Sequence, residues 1–590
     1  MSPVTLQQAF EIALQHHQAG RLREAEEIYR SILSHDPAQA PVHYHLGNVL
    51  RELGRPDAAI AAYRCALTHR PVFLEAQFSL GVMLAEQMRR DEAIEVFLHG
   101  LQLWPDYAPG YYNLGLALSE QGRIGEAAAA YRQALAITPN LAEAHNNLGN
   151  MLKEQGRPDA AIASYRAALA LRPRDPVAHS NLLLCLHYPS DLDARAIFQE
   201  HCRWDEAHAR PLADSIRPHA NDRDPLRRLR IGYVSPDFRE HSVAYFFESL
   251  MAGHDAENAE VFCYDNTLRP DAVSARLRQY RANWRAIRSL GDTQAADLIR
   301  ADGIDILVDL AGHTADNRLT LFALKPAPVQ VSYLGYCDTT GMKAMDFRLT
   351  DAEADPPGIS EHLHTEKLIR IPDGAWCCRP SDEAPAVTAP PVLRNGHVTF
   401  GCFNALPKLS AATLALWRKV LLAVPGSRLL VKNQAFRDTP ALLQARTMIE
   451  SAGLPADRVE LLVPTLPLAD HLAAYGRVDI ALDSFPYHGT ATTCEALWMG
   501  VPVVTLRGET HASRVGASLL THVHLPELIA GEPGEYAAIA AALAADTPRL
   551  AELRGTIRAR MASSPLMNPA RIARGIGQAY REMWQAWCAG

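Results

Sequence analysis

Several signals of common protein classes are missing from this chain of 590 residues. Its 10 cysteines include no CxxC pair and no zinc-ligand spacing, which disfavours a disulfide scaffold or a zinc module. No apolar run approaches the length of a membrane span, and the N-terminal stretch lacks the features of a signal peptide. We therefore expect a cytoplasmic protein that does not enter a membrane.

The net charge and the absence of two nucleotide-binding motifs disfavour further classes of protein. The formal net charge of −8 gives no general attraction to nucleic acid. No GxGxxG lies on the first strand of the later α/β region, and no GxxxxGK[ST] occurs, which disfavours dinucleotide and P-loop sites. The two Asp-x-Asp matches, which begin at Asp191 and Asp222, lie in a connector and not after a strand. We expect no metal and no bound cofactor.

The first third of the chain contains a repeat of 34 residues. Three features share this period: Leu-Gly pairs (Leu46-Gly47, Leu80-Gly81, Leu114-Gly115, Leu148-Gly149), prolines (Pro37, Pro71, Pro105, Pro139, Pro173) and glycines (Gly20, Gly54, Gly122, Gly156), with Met88 replacing one glycine. The pattern is that of tetratricopeptide helix hairpins, which stack into a superhelix. We predict five repeats from about residue 5 to 175, and "HSNLLLCLH" opens a sixth.

Asparagines recur at one position of these repeats, at Asn113, Asn147 and Asn181. A line of amides could hydrogen-bond the backbone of an extended peptide whatever its sequence. Solvated polar positions or hydrogen bonds between repeats are the ordinary alternative. The array itself indicates a protein partner.

After residue 229 the pattern changes to short apolar strands separated by helical stretches, which predicts parallel sheets with crossover helices. The segments "DAVSARLRQYRANW" and "GDTQAADLIRADG" are predicted to be helical. A proline-rich stretch, 380–396, is predicted to link two α/β halves. The expected domains are a repeat array (1–185), a connecting helix and linker (186–228), a first catalytic α/β domain (229–385) and a second, nucleotide-sugar-binding α/β domain (396–590).

The stretch "DSFPYHGTATTCEALWMG" follows one predicted strand and precedes a helix. Free N–H groups at the helix start and the hydroxyls of the loop could bind a phosphate, and Glu495 in the first turn could accept ribose hydroxyls. The loop residues in question are Gly489, Thr490, Thr492 and Thr493. Ordinary helix capping by threonine is the alternative.

Four other polar residues follow predicted strands, where ligands of open α/β sheets bind. Lys408 could neutralise a leaving diphosphate, or it could be a surface lysine. His241 could act as a general base, and Asp309 with His313 could handle a proton or hold an acceptor. The alternatives are a structural role for the histidines and helix or loop capping by Asp309.

Five stretches resemble the protein O-linked N-acetylglucosamine transferase/SPINDLY family, and the resemblance covers nearly the whole chain. They are "RIGYVSPDFREHSVAYF", "DILVDLAGHTADNRLTLFALKPAPVQVSYLGY", "FGCFNALPKLS", "LDSFPYHGTATTCEALWMGVPVVTL" and "GETHASRVGASLL". The resemblance implies a GT-B fold of two Rossmann-like domains and metal-free, inverting transfer of a sugar from a nucleotide donor to Ser or Thr of proteins.

By position, Lys408 resembles the family's diphosphate-binding lysine and His241 its active-site histidine. Thr492 matches a phosphate-contacting threonine, Glu495 an acidic residue at the ribose, and His471 a histidine near the donor. The repeat asparagines resemble the ladder that holds the peptide.

Some positions depart from the animal transferase pattern and are closer to the plant SPINDLY branch, whose donor is GDP-fucose. Thr490-Ala491-Thr492 stands for His-Thr-Thr, Glu495 for an aspartate, and Ala405 for a glutamine. Leu468 and Ala474 replace basic residues near the uracil. UDP-N-acetylglucosamine remains the first choice of donor.

The expected function is a protein O-glycosyltransferase that uses UDP-N-acetylglucosamine. A protein O-fucosyltransferase using GDP-fucose, a transferase acting on small molecules or glycans, and a non-catalytic repeat scaffold are the alternatives. The expected partners are protein or peptide acceptors and a nucleotide sugar, without nucleic acid or membrane. A homo-oligomer is compatible with the sequence.

Overall fold

The structure is a computed structural model that describes residues 5–189, 191–464 and 468–590. Its contacts divide the chain into two compact units, Met1–Leu152 and Lys153–Gly590, which are described separately below. Within the described residues, no helix combines the length and the hydropathy that crossing a membrane requires.

The first unit consists of antiparallel helix pairs. Its helices are α1 (Leu6–Gln18), α2 (Leu22–His35), α3 (Ala40–Glu52), α4 (Pro56–His69), α5 (Leu74–Glu86), α6 (Arg90–Leu103), α7 (Ala108–Glu120), α8 (Ile124–Ile137) and α9 (Ala142–Glu154), the last of which crosses the division. The predicted periodic prolines each fall two residues after the second helix of a pair, as expected for residues that cannot continue a helix.

Glycine has two separate uses in these repeats. A Cβ atom on Gly47, Gly81 or Gly115 would lie 2.4–2.6 Å from the aromatic ring of the facing helix, so only glycine permits this packing distance. At the hairpin turns, Gly54 and Gly122 have φ of 70° and 72°. Met88 takes the same turn position with φ 61°, although a side chain disfavours this left-handed conformation.

The second unit begins with three more helices, α10 (Pro158–Leu171), α11 (Pro176–Cys185) and α12 (Ala194–Trp204). The helical path continues to Ser215 through a π-helical turn and a 3-10 turn, as the predicted connecting helix requires. These helices are joined to the α/β region, because the Ser180 hydroxyl lies 3.0 Å from His313 Nδ1. The last predicted repeat therefore belongs to the same compact unit as the sheets.

The first α/β domain has a parallel sheet of seven strands in the order β3-β2-β1-β4-β5-β6-β7. The strands are β1 (Leu229–Ser235), β2 (Ala259–Asp265), β3 (Asn283–Ala286), β4 (Ile306–Asp309), β5 (Val329–Ser332), β6 (Phe347–Thr350) and β7 (Lys367–Arg370). The helices between them are α13 (Ser242–Ala252), α14 (Ala272–Leu277), α15 (Asp292–Ala301) and α16 (Leu319–Ala323). The predicted helix "DAVSARLRQYRANW" is wrong in its second half, because Trp284 pairs with Cys263 of β2 as part of β3.

The second α/β domain has a parallel sheet of six strands in the order β10-β9-β8-β11-β12-β13. The strands are β8 (Thr399–Cys402), β9 (Arg428–Lys432), β10 (Val459–Leu462), β11 (Ile480–Leu482), β12 (Val503–Leu506) and β13 (Ile529–Ala530). The helices are α17 (Val392–Asn395), α18 (Ala411–Ala423), α19 (Thr439–Ser451), α20 (Leu468–Ala473), α21 (Ala491–Trp498), α22 (Val515–His522), α23 (Pro533–Ala545) and α24 (Thr547–Ala562). Both sheets thus repeat the strand order of a Rossmann-like domain.

The last helix, α25 (Pro569–Ala589), returns to the first α/β domain. Its apolar face, including Ile576, Tyr580 and Trp584, is buried in the core around β1 and α13. The predicted second domain, 396–590, therefore includes a helix whose packing partners lie in the first. Length and amphipathicity predict the helix itself, but they do not say which sheet its apolar face covers.

We predict that Met88→Gly stabilises the first unit by about 0.5–1 kcal/mol. Glycine removes the cost of the left-handed turn, and the greater freedom of glycine in the unfolded chain offsets part of this gain. Met88 is half exposed, so little packing is lost. The free energy of unfolding is measured by urea denaturation that is monitored through hydrogen exchange in α5 and α6. Gln87→Gly is the matched control, since Gln87 has φ −86° and should gain nothing. A fall in stability for Met88→Gly would contradict the strain argument.

Candidate active site

The predicted site residues follow the strands at which the order of each sheet reverses. In the first sheet these strands are β1, which leads to His241, and β4, which ends at Asp309. In the second they are β8, which leads to Lys408, and β11, which leads to the threonine-rich loop. Ligands of open α/β sheets bind at such switch points, beyond the carboxyl ends of the strands.

Loops from both α/β domains line one cavity of about 270 Å³, here called the interdomain cavity. This volume is near the lower end of small-molecule sites, which begin at about 300 Å³. Its walls in the first domain include the start of α13 and residues 334–337 after β5. In the second domain they include Asn404, Lys408, Thr490, Thr492 and His511.

Asp483, directly after β11, organises the loop that leads to α21. Its Oδ1 accepts hydrogen bonds from the N–H groups of Ser484 (2.9 Å) and Gly489 (2.8 Å) and from Asn404 Nδ2 (3.1 Å). Its Oδ2 accepts a bond from the Thr505 hydroxyl at 2.9 Å. The carboxylate is almost wholly buried, so these donors satisfy a charge that would otherwise be costly.

The start of α21 is arranged differently from an ordinary capped helix. Thr490 occupies the N-cap position, but its hydroxyl makes no capping hydrogen bond within the described chain. Thr492 instead donates to Asn404 Oδ1, and Thr493 donates to the carbonyl of Gly489 at 3.0 Å. Since no side chain caps its first turn, the N–H groups of the helix start can serve an anion in the cavity.

Lys408 adds a positive charge to the same cavity. Its Nζ donates to the His488 carbonyl at 2.7 Å and lies 4.1 Å from the centre of the Tyr487 ring. Burial lowers the pKa of Lys408 to about 8, although Asp483 opposes the change. The lysine is still mostly protonated at neutral pH and can attract a diphosphate.

Glu495 and His471 form a second polar group at α21. His471 Nε2 lies 3.0 Å from Glu495 Oε2, and the Tyr475 hydroxyl donates to the same oxygen at 3.2 Å. Lys432 Nζ lies 2.8 Å from His471 Nδ1, and burial lowers the pKa of this lysine to about 8. The structure therefore brings His471, which we expected near the donor, to Glu495, which we expected at the ribose. Glu495 lies beyond the first turn of α21, not within it as we expected.

His241 is the N-cap residue of α13. Its Nδ1 accepts a hydrogen bond from the Val243 N–H at 3.3 Å and lies 3.5 Å from Asp237. Burial lowers the pKa of His241, although the nearby Asp237 opposes the change. Because Nδ1 accepts from the Val243 N–H, the proton of the neutral ring lies on Nε2. In this tautomer the ring can donate to a ligand, but it has no lone pair left to accept a proton.

Asp309 and His313 serve the fold instead of the cavity. The Asp309 carboxylate accepts bonds from the N–H groups of Ala311 (3.1 Å) and Gly312 (2.7 Å), and burial raises its pKa to about 6. Both ring nitrogens of His313 are occupied, by Ser180 and by the Thr340 carbonyl. Neither residue lines the interdomain cavity, and this geometry does not support the predicted catalytic roles.

One cluster in the described residues, His187, His201 and Asp338, has spacing that could suit a metal ion. The Tyr336 hydroxyl lies 3.2 Å from Nε2 of His187 and 2.8 Å from Nε2 of His201. Nδ1 of His201 is bonded to the Ile197 carbonyl. These hydrogen bonds occupy Nε2 of both histidines within the protein.

The repeat asparagines occupy the same position of α7, α9 and α11, and all three are half-buried. In the first unit, Asn147 Nδ2 donates to the Tyr112 hydroxyl at 3.4 Å, a bond between successive repeats. The bond at Asn147 is of the inter-repeat kind, and peptide binding by the three asparagines remains a prediction.

Comparison with known proteins identifies the family. The sequence profile of glycosyl transferase family 41 matches residues 185–378 and 388–576, and tetratricopeptide profiles match 117–156 and 142–175. The chain belongs to glycosyl transferase family 41. The architecture of repeat helices followed by two Rossmann-like domains is accordingly that of a GT-B protein, as predicted.

Similar plant proteins are named "Probable UDP-N-acetylglucosamine-peptide N-acetylglucosaminyltransferase SPINDLY". Those of Petunia hybrida and Arabidopsis thaliana are each 42% identical over 412 residues, or 69% of this chain. This chain spans only 44–45% of their length. The Arabidopsis relative named SEC is 30% identical over 62% of this chain.

One solved structure is also similar. A mutant of the Thermobaculum terrenum O-GlcNAc transferase is 39% identical and has a TM-score of 0.82. The match covers 88% of this chain and 98% of that one.

Four residues of the candidate site escaped the sequence reasoning: Asn404, Lys432, Asp483 and His511. The first three bond to the predicted residues from the ends of β8, β9 and β11. The sequence feature that could have identified these three is a polar residue at the end of a buried strand or just after it. His511 lies in a stretch quoted only for its resemblance.

We predict that Gly489→Ala weakens UDP binding at least tenfold, or about 1.4 kcal/mol, without unfolding the domain. The added Cβ would lie 2.4 Å from Thr492 Oγ1 and 2.6 Å from Asn404 Oδ1, displacing the start of α21. Calorimetric titration with UDP measures the loss. Gly555→Ala in α24 is the control, because its Cβ meets nothing within 4 Å. Unchanged affinity in Gly489→Ala would show that the loop does not bind the diphosphate.

Proposed function

We propose that this protein is an inverting protein O-glycosyltransferase, which moves N-acetylglucosamine from UDP-N-acetylglucosamine to Ser or Thr of other proteins. The observation that carries this proposal is the pairing, in one cavity, of the Lys408 ammonium with the uncapped start of α21. Together they supply positive charge where a nucleoside diphosphate leaves.

The other polar residues take roles around that diphosphate. Thr490, Thr492 and the N–H groups at the start of α21 hold its oxygens, and Glu495 with His471 binds the ribose. His241 donates a hydrogen bond from Nε2. Direct attack by the acceptor hydroxyl on the face opposite the diphosphate inverts the anomeric carbon. No step needs a metal, because Lys408 and the helix start carry the leaving-group charge.

The donor and the acceptor follow from the relatives and from the repeats. Both plant branches and the Thermobaculum terrenum protein bear names that specify an N-acetylglucosamine transferase. We propose that the repeats hold extended protein segments through Asn113, Asn147 and Asn181. We also propose a cytoplasmic location, since all 10 cysteines are free thiols.

GDP-fucose is the second candidate donor. It is favoured by Glu495, Leu468 and Ala474, which differ from the pattern of the animal transferases. Identity to the SPINDLY relatives is also higher than to SEC, at 42% against 30%.

Parallel labelling of a cell extract with UDP-N-acetylglucosamine and GDP-fucose, in the presence of EDTA, tests the proposal. We expect protein labelling from UDP-N-acetylglucosamine. Lys408→Ala should lower it about 100-fold or more, the usual effect of removing one such group. Lys419→Ala, an exposed lysine of α18, is the matched control.

Three results would contradict parts of the proposal. Label from GDP-fucose alone would change the donor. Label that EDTA abolishes would contradict the metal-free step. Label on free sugars but not on proteins would identify a different acceptor class.

A further inference from the structure

The interdomain cavity needs a group that can accept the proton of the acceptor hydroxyl. Two histidines line it, His488 and His511, and His241 adjoins it. His488 Nε2 is bonded to the Leu506 carbonyl at 2.9 Å, and its Nδ1 accepts from the Gly516 N–H at 3.0 Å. His241 presents Nε2–H, as described above. Neither has a nitrogen lone pair available to a ligand.

His511 differs from both. It begins a short 3-10 turn after β12, and its Nδ1 lies 2.7 Å from Oδ2 of Asp355. A carboxylate only accepts hydrogen bonds, so the proton lies on Nδ1 and the lone pair on Nε2. In the described chain no group forms a hydrogen bond to Nε2. A fully buried Nε2 would be one of the buried polar atoms without a partner, and it is not one of them, so it retains some exposed surface. His511 Nε2 is therefore reachable from the cavity.

Asp355 is held through Oδ2, while its buried Oδ1 has no hydrogen-bond partner among the described residues. It is fully buried, and Thr350 at the end of β6 donates to its Oδ2. The neighbouring loop makes two more contacts with the second domain. Arg514 Nε donates to the Glu353 carbonyl at 2.8 Å, and the Ser518 hydroxyl donates to Asp351 Oδ2 at 2.7 Å. The pairing of His511 with Asp355 thus depends on the first domain being docked against the second.

We propose that His511 is the general base of the transfer reaction and that Asp355 is the residue that positions it. The inference rests on the proposed function. The groups that stabilise charge in this site, Lys408 and the start of α21, come from the second α/β domain. The inference adds a catalytic pair to which both α/β domains contribute one residue.

The step balances as a single displacement. The Ser or Thr oxygen forms a bond to the anomeric carbon while its proton passes to His511 Nε2. The bond from the anomeric carbon to the diphosphate oxygen breaks, and its electron pair leaves with the diphosphate. Lys408 and the start of α21 stabilise that charge, and the imidazolium, stabilised by Asp355, later releases its proton to water.

His511→Gln tests the base, because glutamine keeps a polar side chain of similar reach but cannot take up the proton. We expect the rate of transfer from saturating labelled UDP-N-acetylglucosamine to extract proteins to fall about 100-fold or more. The Kd for UDP, measured by calorimetry, should change by less than about twofold, since base catalysis does not contribute to donor binding. His522→Gln, a half-buried histidine in α22 away from the cavity, is the matched control and should keep full activity.

Two further variants separate catalysis from folding. Added imidazole should restore part of the transfer activity of His511→Ala but none of that of Lys408→Ala. Asp355→Asn should lower the rate with little change in the UDP Kd. The double variant, His511→Ala with Asp355→Asn, should be no slower than His511→Ala alone, because Asp355 acts only through His511.

The outcomes distinguish this inference from the proposed function. Label transfer by the wild type at a rate that His511→Gln leaves unchanged would overturn the base and keep the enzyme. An equal loss of UDP binding and transfer would make His511 a donor-binding residue. If His511→Gln does not fold, a failure of imidazole to rescue His511→Ala would overturn the inference. A wild type without label from either donor would overturn both proposals.

Discussion

The buried Asp483 carboxylate is the constraint on which the rest of the site depends. It is surrounded by donors from the ends of β8, β11 and β12, and each of these bonds fixes a part of the cavity wall. A buried charge without such partners would cost several kcal/mol, so the loop folds around it in one way. The result is a helix start that lines the cavity and that no side chain caps. The same loop carries the His488 carbonyl that positions Lys408.

The site separates its negative charges from the place that we assign to the diphosphate. Asp483 and Asp355 are turned toward internal donors, and Glu495 is shared by His471 and Tyr475. Among the described residues that line the interdomain cavity, Lys408 is the only lysine or arginine. Burial lowers the pKa of this lysine because it disfavours the charged form. A diphosphate would offset that cost by supplying a counter-charge, which couples donor binding to the protonation of the lysine.

Much of this organisation could be predicted from the sequence, because it depends on local patterns. The 34-residue period reveals the repeats, and apolar strands followed by polar residues reveal Lys408 and the threonine-rich loop. The features that the sequence could not predict depend on contacts distant in sequence. Asp309 and His313 follow a strand as predicted, but hydrogen bonds from residues 180 and 340 turn His313 inward. Asp355 and His511 are 156 residues apart, so no local pattern could pair them.

The central claim is that the interdomain cavity recognises a nucleoside diphosphate, and comparing the affinities of UDP and uridine tests it most directly. The two ligands share the base and the ribose and differ in the diphosphate alone. The account predicts that UDP binds at least about 100-fold more tightly, or about 2.7 kcal/mol, and that Lys408→Ala removes most of this difference. Equal affinities for the two ligands would contradict it.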